Sequence, residues 1–80
     1  MKVWITKYAL TDGIIEAKGE QDKLTYGFVV TDGVFRNEWF NRIDCFTSRT
    51  SAIKKAEEMR QKKIEGLKKQ IKKLEEMRFE

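Results

Sequence analysis

The sequence contains no histidine and no proline, and its only cysteine is Cys45. A single cysteine cannot form an intrachain disulfide, and the lack of histidine removes the commonest metal ligand and the commonest general base. Charged residues make up 38% of the chain, and no apolar run approaches the roughly 20 residues that a transmembrane helix needs. Lys7 stands where a signal peptide would be apolar. These absences predict a soluble, cytoplasmic protein that has no cofactor and does not bind membranes.

The composition divides the chain into two parts. Residues 1–48 contain six basic and seven acidic side chains, a net charge of −1, whereas residues 49–80 contain eleven basic and six acidic ones, a net charge of +5. Eight of the nine aromatic residues precede residue 48. No Gly/Ser-rich or Pro-rich linker separates the parts, so we expect one domain, with a β-sheet over 1–48 and a helix over 49–80.

Two Asp-Gly pairs predict two β-hairpins in the first part. Asp12-Gly13 and Asp32-Gly33 each lie between apolar runs, and this dipeptide favours a two-residue type I′ turn. Because each turn sets a register, the first hairpin would share one apolar face among Trp4, Tyr8, Leu10, Ile15 and Ala17. The second would share a face among Leu24, Tyr26, Phe28, Val30, Phe35 and Trp39.

The segment from Asn37 to Thr47 has two interpretations. It either continues the second hairpin or turns near residue 37 and supplies a further strand over 39–46. Both versions predict an α+β fold, in which a small antiparallel sheet or partly closed barrel of four to five strands precedes one long C-terminal helix.

The second part of the sequence has the composition of a helix. Ser48 or Thr50 can serve as the N-cap, and strong helix formers continue to Arg78 with Gly66 as the only interruption. One apolar stripe lies early in this helix and is expected to pack on the sheet; it contains Ala52, Ile53, Ala56 and Met59. A second stripe is coiled-coil-like from about residue 64, at heptad positions a, d, a and d; it contains Ile64, Leu67, Ile71 and Leu74.

The length of the helix predicts self-association. A helix over 49–78 is roughly 45 Å long, whereas strands of six or seven residues span only about 20 Å. The second stripe therefore has no cover within its own chain, and we expect a homo-oligomer, most simply a dimer, through this stripe. Parallel and antiparallel pairing both remain open, and the antiparallel arrangement brings fewer lysines together.

Two segments resemble a family of small uncharacterised proteins from bacteriophages and mobile elements of gut bacteria. They are Val-Trp-Ile-Thr-Lys-Tyr-Ala-Leu-Thr-Asp-Gly-Ile at 3–14 and the Lys/Glu-rich helix at 52–64 with its continuation at 67–75. The resemblance implies a phage or mobile-element origin, and hence the cytoplasm of a host cell. It implies no activity and transfers no functional residue to this chain.

The polar residues offer little for catalysis. Cys45 has no histidine to activate it, and we interpret it as a small, half-buried residue of a strand. Asp12 and Asp32 could form a pair of catalytic carboxylates, but each precedes a glycine, and aspartate is common at this position of a turn. The glycines occur singly, so no phosphate-binding loop is present. We therefore expect a non-enzymatic protein.

Two binding functions remain. The first is a protein-interaction protein, in one form an inhibitor of a host or defence factor, whose acidic partner is recruited by Lys69, Lys72 and Lys73 and held by an exposed Phe40 beside Arg36. The alternative is a small β-barrel that binds nucleic acid by stacking bases on aromatic side chains while lysines follow the phosphates.

Overall fold

A computed structural model describes residues 1–79 of the chain. It contains a curled five-stranded antiparallel sheet that is followed by a long helix, which confirms the predicted α+β class. In chain order the elements are β1 (Lys2–Ile5), α1 (Ala9–Asp12), β2 (Ile15–Gln21), β3 (Phe28–Val30), β4 (Trp39–Phe40), β5 (Cys45–Phe46) and α2 (Arg49–Glu76).

The strands lie in the order β4-β3-β2-β1-β5. The pairs Ile5↔Ile15 and Gln21↔Phe28 define the register on the two sides of the central β2, and Phe28 pairs in turn with Phe40 of β4. The stretch 39–46 does not form one strand. It supplies β4 at one edge and β5 at the opposite edge, where Ile5 pairs with Cys45.

The core lies on one face of the sheet. Its buried members come from β1, β3, β4 and β5; they are Val3, Ile5, Phe28, Val30, Phe40 and Cys45. The rings of Tyr8 and Phe35 stack with centroids 5.5 Å apart and pack against this cluster from the segments around α1 and before β4. The curled sheet therefore encloses its apolar face largely by itself, with aromatic side chains closing the open side.

Both predicted two-residue hairpins are wrong. Gly13 follows α1, and Gly33 lies in the long loop between β3 and β4, although both glycines have the positive φ expected for a turn, 77° and 73°. Asp32 instead joins its loop to strand β2, because its Oδ1 accepts a hydrogen bond of 2.9 Å from the backbone N–H of Lys18. The short hairpin connects β2 and β3 and is closed by a bond from the N–H of Asp22 to the carbonyl of Gly27.

The new registers change which side chains face the core. Tyr8, Ile15, Ala17, Phe28, Val30 and Phe35 belong to it, as predicted. Four side chains predicted on the same faces are instead solvent-exposed, by 46 to 91%; they are Leu10, Leu24, Tyr26 and Trp39. Trp4 is paired with Glu16 and Phe46 on the face opposite the core.

The helix α2 begins after Ser48, whose side chain accepts the N–H of Ser51 at 3.4 Å. This confirms one of the two predicted N-caps. Near its start α2 contacts α1, β1 and β5, and it buries Ala52 while Ala56 and Met59 are half-buried. Ile53, predicted on this stripe, is 41% exposed because it lies about 100° around the helix from Ala52.

The rest of α2 extends away from the sheet. Every described residue after Met59 is exposed, and residues 1–79 measure 58 × 23 × 22 Å overall. The helix ends at Glu76, two residues before the predicted end, with the N–H of Met77 bonded to the carbonyl of Leu74. The predicted overhang is therefore present in the structure.

Candidate protein-binding surfaces

A row of exposed apolar side chains lies on the overhanging part of α2. We call it the seam; it consists of Ile64, Leu67, Ile71 and Leu74, whose exposed fractions are 37, 45, 54 and 66%. At about 100° per residue, the seam is centred roughly a quarter-turn around the helix from Ala52 and Met59. The sheet-facing side turns polar beyond Met59, so the seam is not a continuation of the contact with the sheet.

A polar layer ends the seam on the side of the sheet. Glu57 and Arg60 occupy the heptad positions between Ile53 and Ile64, and their side chains form an ion pair. Arg78 occupies the corresponding position beyond Leu74. The exposed apolar stripe is therefore two heptads long and has a positive residue at each end.

The residues predicted to bind a partner do not form one site. Lys69, Lys72 and Lys73 are exposed on the overhanging part of α2, whereas Arg36 is exposed in the loop before β4. Phe40 is 3% exposed, so the prediction that it is an exposed anchor is wrong. It pairs with Phe28 in the core.

Trp39 is exposed where Phe40 was expected to be. Its indole Nε1–H donates a hydrogen bond of 2.8 Å to Oγ1 of Thr25, in the β2–β3 turn. The ring also covers Gly27 so closely that a Cβ there would lie 2.5 Å from three of the indole atoms. We call this area the Trp39 surface; it consists of the exposed residues Leu24, Thr25, Tyr26 and Trp39, with the buried Gly27 beneath the indole.

The β2–β3 turn is itself held together by hydrogen bonds. The carboxylate of Asp22 accepts the N–H of Leu24 at 3.0 Å and the hydroxyl of Thr25 at 2.9 Å, and these bonds hold the pKa of Asp22 below its usual value. Tyr26 adopts a φ of 60°, which is unusual for a bulky residue. The sequence contains one sign of this turn, because Asp22 precedes Thr25 by three residues and Gly27 follows Thr25 by two. The two Asp-Gly pairs are the stronger turn signals, so this weaker one was not used in the prediction.

A groove of about 430 Å³ lies between Asp12 and the second Asp-Gly pair, Asp32-Gly33. Asp12 and Asp32 both line it, together with Glu16 and a mainly apolar floor from β2 and Phe35. The carboxylate of Asp32 already accepts the N–H of Lys18, so we interpret the groove as the place where two loops pack together and not as a catalytic site. Among residues 1–79, no group of three or more His, Cys, Asp or Glu side chains is placed to hold a metal ion.

Cys45 lies in the core and is 1% exposed, more deeply buried than predicted. Burial, with a smaller contribution from the charge of Asp44, raises the pKa of its thiol to about 11. A thiol with this pKa is almost wholly protonated at neutral pH and is a poor nucleophile. The side chain therefore serves packing.

Comparison with known proteins found no matching family, no matching curated protein and no matching solved structure. The resemblance to phage and mobile-element proteins thus stays a prediction. Within residues 1–79, no helix is long and apolar enough to cross a membrane.

Proposed function

We propose that the chain is a non-enzymatic protein-interaction protein that self-associates through the seam. The observation that carries the proposal is the row of four exposed aliphatic side chains on a helix that its own sheet does not cover. Each half-exposed Leu or Ile that becomes covered contributes about 1 kcal/mol, whereas an exposed charge pair contributes about 0–1 kcal/mol. Apolar cover therefore drives the association, and charge selects the orientation.

The charges along α2 favour an antiparallel pair. With Ile64 opposite Leu74 and Leu67 opposite Ile71 of the partner, the acidic end at Glu75 and Glu76 lies beside the basic segment at 60–63 of the other helix. A parallel pair places each charged segment against its own copy and brings Lys63 against Lys68 twice. Opposed helix dipoles also favour the antiparallel arrangement.

Substitution in the seam tests self-association. Leu67→Glu places a charge in the apolar row and should give a monomer, whereas Gly66→Glu adds the same side chain one position away, where no atom lies within 4 Å of a Cβ. We expect light scattering over about 10–300 µM to show a mass that rises with concentration for the wild type and for Gly66→Glu only. A wild type that stays monomeric throughout this range contradicts the proposal.

Recruitment of an acidic partner by the lysines of α2 remains part of the proposal. Lys69, Lys72 and Lys73 stay on the solvent side when the seam is covered, because they lie outside heptad positions a and d. Inhibition of a host or defence factor is one form that this role takes if the origin is a phage or mobile element. An affinity pull-down from a host lysate, repeated with the three lysines changed to Glu, tests this part.

Nucleic-acid binding remains the alternative, and one new observation favours it. Tyr26 and Trp39 are 63% and 46% exposed, so aromatic rings are available for stacking on the sheet. The lysine stripe of α2 lies away from these rings on the overhanging helix, however, and near the rings Lys18 and Lys23 are balanced by Glu20 and Asp22, whereas a stacking platform needs a surplus of positive charge. A mobility-shift assay with labelled DNA and RNA at low salt distinguishes the two functions.

A further inference from the structure

The Trp39 surface has the properties of a pre-formed anchor. The indole is held on one side by Gly27 and at its N–H by Thr25, and Thr25 is held in turn by Asp22. Trp39 is nevertheless 46% exposed, and the side chains of Leu24 and Tyr26 beside it are exposed as well. Large aromatic side chains whose conformation is already fixed lose little entropy on binding and dominate protein interfaces.

Nothing in the described chain covers this surface. Trp39 belongs to β4, at one edge of the sheet, whereas α2 packs against β1 and β5 at the other edge. A second copy that pairs through the seam contacts the overhanging part of α2 and leaves β4 free. The Trp39 surface is therefore open in the monomer and in the dimer.

One acidic side chain, Glu20, belongs to the cross-strand row that ends at Trp39. Glu20, Val29 and Trp39 are direct register partners across three strands, so they share the face opposite the core. Asp22 continues the same side of β2 toward the turn over which the ring lies. Two cations are close as well, since Lys18 lies two residues from Glu20 in the other direction and Lys23 lies in the turn.

We propose that the Trp39 surface binds a basic segment of a partner protein, in which an Arg or Lys side chain lies against the indole and an adjacent apolar side chain lies against Leu24 and Tyr26. The face of an indole attracts cations, and Glu20 supplies an opposite charge on the same face of the sheet, on the far side of Val29. This inference rests on the proposed protein-interaction function, and it concerns a different surface from the seam.

A displayed library of random peptides tests the proposal without knowledge of the natural partner. We expect selection on the wild-type protein to enrich peptides that combine Arg or Lys with an apolar residue. A synthetic copy of the strongest binder should bind at least tenfold more weakly to Trp39→Ala. Val34→Ala, in a different loop where Val34 is 94% exposed, should bind like the wild type.

Gly27→Ala provides the sharper variant. Its Cβ displaces the indole while Trp39 itself is kept, and Gly27 does not have a positive φ, so the backbone tolerates alanine. Binding of the selected peptide should weaken as it does in Trp39→Ala, with an unchanged circular dichroism spectrum. Glu20→Gln should reduce the salt dependence of binding, whereas Glu58→Gln on α2 should not.

Three outcomes of the peptide selection overturn the inference: no enriched peptides, enriched peptides that are acidic, or peptides that bind Trp39→Ala as tightly as the wild type. A labelled single-stranded oligonucleotide that binds through Trp39 also overturns it, in favour of nucleic-acid stacking. The mass of the protein in solution reports on the seam separately. A self-associating protein with no peptide binding thus refutes the inference alone, and a monomer that binds peptides refutes seam pairing alone.

Discussion

The ring of Phe35 lies edge-on against the ring of Phe40, with centroids 5.8 Å apart and an angle of 84° between the planes. Through this contact Phe40 joins the stacked pair of Phe35 and Tyr8, and the three rings close the open side of the curled sheet. Phe40 is therefore a determinant of folding. Its neighbour Trp39 points to the other face, where it is available for binding.

This division of roles predicts different effects on stability for the two adjacent residues. Phe40→Ala should lower the free energy of unfolding by about 3–5 kcal/mol, because it leaves a cavity beside Phe28 and Phe35. Trp39→Ala removes a half-exposed ring at the edge of the sheet and should cost about 1–2 kcal/mol. Urea denaturation followed by circular dichroism measures both values. Equal losses would contradict the assignment of Phe40 to the core and Trp39 to the surface.

The thiol of Cys45 should make stability fall in alkaline solution. Its pKa is raised from 9.0 to about 11 in the folded protein, so the folded state favours the protonated thiol. The resulting stabilisation is complete below pH 9 and is lost as the pH rises to about 11, on the order of 2–3 kcal/mol in total. Subtraction of the same pH profile measured for Cys45→Ala isolates this contribution from those of lysine and tyrosine. A difference profile that is flat from pH 8 to 11 shows that burial does not raise the pKa of the thiol.

Thr6 provides a test of packing in the core. It is fully buried, and within residues 1–79 its hydroxyl has no hydrogen-bond partner. Thr6→Val keeps the shape and removes a buried polar group that is not satisfied, so we expect the free energy of unfolding to rise by about 1 kcal/mol. Thr6→Ser keeps the hydroxyl and loses a methyl group, and it should destabilise the protein. Thermal unfolding of both variants decides the sign, and a destabilised Thr6→Val shows that the hydroxyl makes an interaction in solution.

The helix was predictable because its signals are local. Ser48 caps α2 through its own side chain, and the spacing of Ile64, Leu67, Ile71 and Leu74 follows from the 3.6-residue period. The exposure of the seam follows from comparing two lengths, which needs no knowledge of tertiary contacts. The α+β class was predictable from the contrast between the two parts of the sequence, whereas the number of strands was left at four to five.

The strand registers were not predictable, because they depend on contacts between distant residues. A two-residue turn at Asp32-Gly33 would face Trp39 inward. The actual loop extends from β3 to β4, and the side chain of Asp32 accepts a hydrogen bond from the backbone N–H of Lys18 on β2. In the resulting register Phe40 lies opposite Phe28, and since neighbouring residues of a strand point to opposite faces, Trp39 moves to the surface. The error in the position of one turn therefore led to the prediction of an exposed Phe40, whereas the exposed residue is Trp39.

A distance between spin labels tests most directly whether a second copy covers the seam in an antiparallel pair. One label is attached to Glu58→Cys in a Cys45→Ala background, and pulsed electron resonance then measures the distance between the two labels of a dimer. The helices cross near residue 69, so two labels at position 58 lie about 33 Å apart along the axis. We predict a distance of roughly 35 Å, which disappears when Leu67→Glu is added. A distance below about 20 Å indicates a parallel pair, and the absence of any distance between copies contradicts self-association through the seam.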